Sequence, residues 1–269
     1  MLEVSKKIST VVGRTNAQYE LIKEGDKILI GFSGGKDSLT LLHTLKRMQR
    51  HAPFDFEFKA VTITYGMEGE NVDFLADHCK KHDIEHEIFD TNIFDISVEK
   101  VRKNSSLCSL ISRMRRGYLY TYALDNGFNK LALGHHLDDS MESFMMNLFY
   151  NGAMRAMPPI YKAENGLYVI RPLIFCRERQ LRAFAEDNEV DVIGDEGCPG
   201  MRLSEKDREY MKMPHARANT KKLLANLEEE NPKVFVSMKA AFQNFHINTF
   251  FDKEFLDPQE DKKVAEELN

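Results

Sequence analysis

Six consecutive residues, Ser33-Gly34-Gly35-Lys36-Asp37-Ser38, concentrate chemistry in one short stretch. Adjacent glycines let the backbone turn tightly and leave its N–H groups facing outward. Two hydroxyls and an ammonium surround them, a set that suits anionic oxygen, above all phosphate. Asp37 is the odd member. A carboxylate repels phosphate unless a cation such as Mg²⁺ lies between them, or unless it serves the start of a helix. The spacing is neither that of G-x-x-x-x-G-K-[ST] nor that of G-x-G-x-x-G.

Such a loop needs a strand before it and a helix after it. "KILIGF" (27–32) is a short apolar run suited to a strand buried on both faces, and Leu39, Leu42, Leu45 and Met48 then recur at helical spacing. The same alternation continues along the chain. Strands are expected at 56–64, 85–89, 130–134, 168–173 and 190–194, and helices at 70–82, 107–126, 138–150 and 177–188. This order predicts an α/β fold with a doubly wound, mostly parallel sheet, ligands binding at the carboxyl ends of the strands. Residues 1–24 read as an N-terminal helical arm, 25–200 as the catalytic domain, and 201–269 as a helical extension ending in a charged tail.

Composition bounds the function. The 269 residues are 42% apolar with a net charge of −5, so a large core is available and any polyanion must be met by a local basic patch. No run approaches the roughly 18 apolar residues of a membrane span, and the N-terminus lacks a secretory core, so the cytoplasm is the expected compartment. None of the four cysteines lies in a C-x-x-C pair. Cys79 and Cys176 read as small buried hydrophobes.

"SGGKDS" after an apolar strand resembles the PP-loop of the N-type ATP pyrophosphatases, with their adenine-nucleotide α-hydrolase-like fold. That family cleaves ATP between its α- and β-phosphates and activates a carbonyl oxygen with the AMP half. "LALGHHLDDSMES", from Leu131, resembles its second nucleotide motif. The resemblance implies ATP binding by Ser33, Gly34, Gly35, Lys36, Asp37, Ser38, Gly134 and His135. It implies Mg²⁺ held by Asp37, Asp138 and Asp139, with Lys36 and Asp139 catalytic and Gly134 allowing the nucleotide to approach. Helix capping is the other reading of the acids, Asp138 being the candidate cap, and satisfied strand-end residues the other reading of His135 and His136.

"CSLISRMRRGYLY" (108–120), "NLFYNGAMRAMPP" (147–159) and "VIRPLIFCRER" (169–179) narrow the likeness to the tRNA 2-thiocytidine synthetases. In these, ATP adenylates the C2 oxygen of anticodon-loop cytidine 32 and sulfur replaces it. From Lys100 to Leu124 the chain carries six basic residues and no acid, as a phosphate-tracking surface would. Arg113, Arg115 and Arg116 are the expected tRNA contacts. Tyr118, Tyr120 and Tyr122 suit base stacking but are better read as half in the core.

The chain departs from that group at one position. The group carries Cys-x-x-Cys before Arg-Arg-Gly and a third cysteine later, which together hold a [4Fe–4S] cluster. Cys108 matches the first and Cys198 the third, but Ile111 stands at the second and cannot bind iron. Two thiolates are too few for such a cluster, and Asp195 or Glu196 are the candidate oxygen substitutes. Three outcomes stay open: a cluster with an unusual ligand, an iron-free pair in which one cysteine carries a persulfide and the other resolves it, or an ATP-using domain without sulfur transfer. Cys108 and Cys198 are expected to meet at the mouth of the nucleotide site. A PP-loop ligase joining lysine to a tRNA cytidine and a nucleotide-binding regulator are the competing functions. A sulfur donor such as a cysteine desulfurase, and a homodimer, follow from the resemblance.

Overall fold

The computed structural model describes residues 2–101, 107–194, 215–244 and 246. The apolar run before the glycines forms β1 (Lys27–Gly31), in which Ile28, Leu29 and Ile30 are fully buried. Strands β2 (Glu57–Ile63) and β4 (Lys130–Ala132) pair with it on either side, both parallel. Outside them lie β3 (His86–Phe89) and β6 (Tyr168–Ile170), again parallel, and β5 (Ile160–Lys162) closes one edge antiparallel to β6. The order is β3-β2-β1-β4-β6-β5. The chain therefore winds outward in both directions from β1 and β4, and the crevice at their carboxyl ends is where open α/β sheets bind ligands.

Helices cover both faces, as a sheet buried on both sides requires. On one face Ile28 and Ile30 pack with residues of α1 (Lys6–Tyr19), α2 (Lys36–His51), α3 (Asp73–Lys81) and α7 (Glu178–Asp187), including Ile8, Leu42, Leu75 and Leu181. On the other, Leu29 and Leu131 pack with α4 (Ile93–Lys100) and α5 (Leu107–Asp125) through Ile93, Ile111, Leu119 and Tyr122. α6 (Leu137–Tyr150) follows β4. Cys79 and Cys176 have no exposed surface and sit in the first of these cores, as expected of them. The chain divides into two compact units, Met1–Thr220 and Lys221–Asn269. α8 (His215–Glu230) begins in the first, and the second carries α9 (Val234–Ala241).

Besides the short helix α4, which was not anticipated, three elements differ from the sequence expectation. Residues 190–194 form no strand; they run as a strap whose Ile193 N–H donates to the carbonyl of Gly34 at 2.9 Å. Strand β6 stops at Ile170, because Arg171 turns the chain with Pro172, and the Ile174 N–H bonds back to the Arg171 carbonyl. The β5–β6 hairpin was not anticipated, although its Asn165-Gly166 turn is a hairpin signal. Its strands are three residues each and too short to show alternation.

A buried ion pair fastens the lower edge of the sheet. Lys130 Nζ lies 2.6 Å from Asp26 Oδ2 and also donates to the Leu21 carbonyl, and both side chains are 8% exposed. Asn129 joins them, donating to Asp26 and accepting from the Lys27 amide. Removing one member strands the other as an uncompensated charge. Asp26→Ala is therefore expected to lose roughly 3–5 kcal/mol in urea denaturation, and adding Lys130→Met should restore much of it. An unchanged midpoint in the single variant would show that the pair does not carry the base of the sheet.

Candidate active site

The glycine loop leaves β1 and turns at Gly34, whose φ is +77°. A side chain there would be strained, and its Cβ would also meet Ile193 Cδ1 at 2.7 Å. Gly35 caps α2, so the first N–H groups of that helix face the crevice. The two serines serve the loop itself. Ser38 donates to the Gly35 carbonyl at 3.0 Å and accepts from both the amide and the hydroxyl of Ser33. Lys36 Nζ lies 3.2 Å from Glu178 Oε1 and 3.5 Å from Asp37 Oδ1. Burial works against its charge, but Asp37 and Glu178 outweigh that and hold the ammonium above its usual value.

Gly134 follows β4 and lies against this loop. A Cβ on it would stand 3.0 Å from both Asp37 C and Ser38 N. The close approach that requires glycine here is that of the neighbouring loop's backbone. His136, not Asp138, caps α6: its Nδ1 accepts from the Asp139 amide, and Asp139 Oδ2 accepts from the His136 amide in return. His136 is 4% exposed, with its Nε2 3.4 Å from Asp139 Oδ2 and 3.8 Å from Asp37 Oδ1. The two carboxyls diverge. Burial, with Asp139 nearby, lifts Asp37 above its ordinary range; burial acts on Asp139 too, but His136 and Arg217 hold it below. Asp138 turns away, and both its oxygens accept from Arg177 while Oδ2 also takes the Glu178 amide at 2.8 Å.

These loops line a cavity of about 810 Å³. Of the residues expected from the sequence, Ser33, Gly35, Asp37, Ser38, Gly134, His135, Asp139, Arg115 and Arg116 line it, whereas Gly34, Lys36, Cys108, Asp138 and Arg113 stand outside the lining. Arg171 and Arg217 complete a set of four guanidinium groups. Arg217 lies 2.5 Å from Asp139 Oδ1 and 2.9 Å from Glu142 Oε2. Arg171 donates from Nε to His135 Nδ1 at 3.4 Å, which puts the ring proton on Nε2. Burial, reinforced by Arg171, pushes His135 down to about 4, so it is a neutral donor at physiological pH. Met67, Val72 and Phe74 form an apolar wall beyond β2.

Helix α5 divides its residues between cavity and core. Ser112, Arg115, Arg116 and Leu119 line the cavity, and Arg115 donates to Tyr65 Oη at 2.8 Å. Cys108 is half-buried one turn before Ser112. Ile111 is 4% exposed and packs in the core with Leu107 and Leu119. Tyr118, Tyr120 and Tyr122 belong to that core, Tyr122 bonding Glu87 and Tyr120 bonding Tyr161. Cys198, Asp195 and Glu196 lie outside the described residues, as do Arg102 and Lys103. Sequence reasoning missed Arg171, Arg177, Glu178 and Arg217. The first three follow β6 within "VIRPLIFCRER", where a strand-end rule points; Arg217 carries no local signal.

Residues 3–206 match the PP-loop domain family. The tRNA-cytidine(32) 2-sulfurtransferase of Geobacter metallireducens is 42% identical over 250 residues, 93% of each chain. The protein of the same name from Azotobacter vinelandii is 34% identical over 95% of this chain and 89% of its own. Among solved structures, the U34-tRNA thiolase NcsA from Methanococcus maripaludis with its [4Fe-4S] cluster superposes with a TM-score of 0.71 at 22% identity, covering 89% of this chain and 78% of that one, and shares its fold. Two nucleotide motifs at adjacent strand ends, on a fold matched over most of its length, establish the relationship: this chain belongs to the PP-loop domain family.

Proposed function

We propose that this chain is an ATP-dependent tRNA sulfurtransferase that activates the C2 oxygen of anticodon-loop cytidine 32 with AMP and replaces that oxygen with sulfur. The observation that carries the reading is the meeting of the glycine loop and the Gly134–Asp139 loop beneath four arginines in one cavity. The α2 N-terminus receives the ATP phosphates, and the wall of Met67, Val72 and Phe74 suits a purine. The cytidine oxygen attacks the α-phosphorus in line, and charge building on the leaving pyrophosphate is met by Lys36 and the guanidinium groups. His135 Nε2–H is free to donate to an oxygen in the cavity.

Mg²⁺ fits the donor set. Asp37 Oδ1 is buried without a hydrogen-bond partner, and Asp139 lies across His136 from it. These two acids would hold the ion, which would neutralise phosphate charge. A [4Fe–4S] cluster does not fit the described residues, because Ile111 offers buried hydrocarbon where the second thiolate belongs. The iron-free reading is the one this favours. One of Cys108 and Cys198 carries a persulfide, whose terminal sulfur attacks C2 and expels AMP. The other thiol then attacks the carrier Sγ, releases 2-thiocytidine and leaves a disulfide for an external thiol to reduce. A cysteine desulfurase as sulfur donor, a cytoplasmic setting and a homodimer belong to the same reading. Among the described residues no helix is long and apolar enough to cross a membrane, and exposed Phe149, Tyr150 and Met154 offer an apolar face for a second copy.

Lys36→Ala is expected to slow tRNA-dependent pyrophosphate release by roughly 10²–10³-fold, with a much smaller change in ATP affinity. Equal losses in both would remove its role at the leaving group. Replacing Arg115 and Arg116 by Ala should weaken tRNA binding and flatten its salt dependence by roughly one unit per lost phosphate contact; an unaltered slope places the RNA elsewhere. Protein purified without air should hold far less than one cluster's iron and still thiolate tRNA when given a persulfide donor. Cys108→Ser and Cys198→Ser should each abolish thiolation and spare ATP binding. Four irons per chain with a cluster spectrum would overturn the iron-free route, and an absence of 2-thiocytidine in the tRNA product would overturn the function.

A further inference from the structure

Outside the cavity, α2 and α3 bring three imidazoles together. His43 lies on α2, about two turns past Lys36, and His78 and His82 are spaced i, i+4 along α3 and its C-terminal cap. The ring centroids are 5.1 Å apart for His43 and His78, 4.9 Å for His43 and His82, and 4.6 Å for His78 and His82. One ligand-capable nitrogen from each lies within 4.8 Å of the other two. His43 is fully buried, and Nδ1 of His82 is buried without a hydrogen-bond partner. Packing alone does not account for a buried imidazole nitrogen left unpaired.

We infer that His43, His78 and His82 form a binding site for a divalent transition-metal ion of the zinc class. Zinc takes neutral imidazoles in a tetrahedral shell, and a water can serve as the fourth ligand. Burial, with repulsion among the rings, pushes His43 down to about 3 and His78 to about 4, and burial also lowers His82. All three are therefore unprotonated at neutral pH, as ligation requires. Zn–N bonds of about 2.0–2.1 Å set ligand nitrogens roughly 3.3 Å apart. The 2.8 Å contact between His43 Nε2 and His78 Nε2 needs to open slightly, and His82 to swing inward.

One contact must yield. The Leu2 amide donates to His43 Nδ1 at 3.2 Å, which places the ring proton on Nε2, pointing at His78. A metal on Nε2 shifts that proton to Nδ1, where it opposes the Leu2 amide. Metal loading and the Leu2 contact are thus mutually exclusive, and binding takes from the Leu2 amide its acceptor on α2.

Full-length protein stripped with a chelator and titrated with ZnCl₂ alone should take up one equivalent through the histidines. Its melting temperature should rise, and the Leu2 amide should lose protection from hydrogen exchange. His78→Gln and His82→Gln should each weaken that equivalent at least tenfold. His82 ends its helix and is partly exposed, so its variant should keep the metal-free melting temperature. A parallel titration of Cys108→Ser separates the thiols: the equivalent should persist there. Wild-type affinity in both histidine variants, an equivalent lost with Cys108 instead, or no stoichiometric uptake would each overturn the site.

Discussion

A Cβ on Gly134 would stand 3.0 Å from the backbone of Asp37 and Ser38, atoms held in the first turn of α2 that cannot step aside. The two loops of the active site therefore meet main chain to main chain, and everything functional is arranged around that contact. It sets the N-termini of α2 and α6 side by side, so two helix dipoles point toward one crevice. It leaves His136 as the polar filler between them, bonded within its own cap and facing Asp37 and Asp139. The N-terminus of α7 then fastens both loops from outside, Glu178 to Lys36 and Arg177 to Asp138. The strap at 190–194 closes over Gly34.

The electrostatics of the cavity follow from this packing. The chain as a whole carries a net charge of −5, yet four arginines line one site, so the attraction for polyanions is local. Three of those arginines are held by fixed partners: Arg217 by Asp139 and Glu142, Arg171 by His135 and the Pro158 carbonyl, and Arg115 by Tyr65. Preorganised cations of this kind need not reorganise when phosphate charge develops. Burial lifts Asp37 while cationic neighbours hold Asp139 down, so two carboxyls that face one imidazole differ in proton affinity.

Much of this was legible in the sequence, for physical reasons that also mark the limits. A buried parallel strand needs an unbroken apolar run, so β1 and its glycine loop were visible at once, and α2 declared itself through Leu39, Leu42 and Leu45. The tyrosines of α5 were rightly placed in the core, where Tyr122 packs against Phe89 and Phe128. Residues 190–194 looked like a strand because Val190, Val192 and Ile193 favour extended backbone. Their partner is a loop carbonyl instead of a neighbouring strand, and local propensity cannot tell these apart. Asp138 looked like a cap because caps are commonly aspartate; the imidazole of His136, two residues earlier, took that place through a side-chain nitrogen of the same reach. Arg217 joins the site only through tertiary structure, 78 residues from Asp139, and no window of sequence contains both.

Helix α5 separates a stripe that faces the cavity from one that faces the core. Residues at positions 108, 112, 115, 116 and 119 follow one another along a single stripe at helical spacing, and from Ser112 onward they line the cavity. Residue 111 lies about 60° around the helix from residue 108 by the 3.6-residue period, on the boundary between that stripe and the core. Ile111 is buried with Leu107, Leu29 and Val61, extending the apolar core beneath the sheet. Ile111 thus serves core packing, while its neighbours on the stripe face the cavity. Arg115 and Arg116 stand on the cavity wall, so one helix supplies both apolar packing to the core and positive charge to the site.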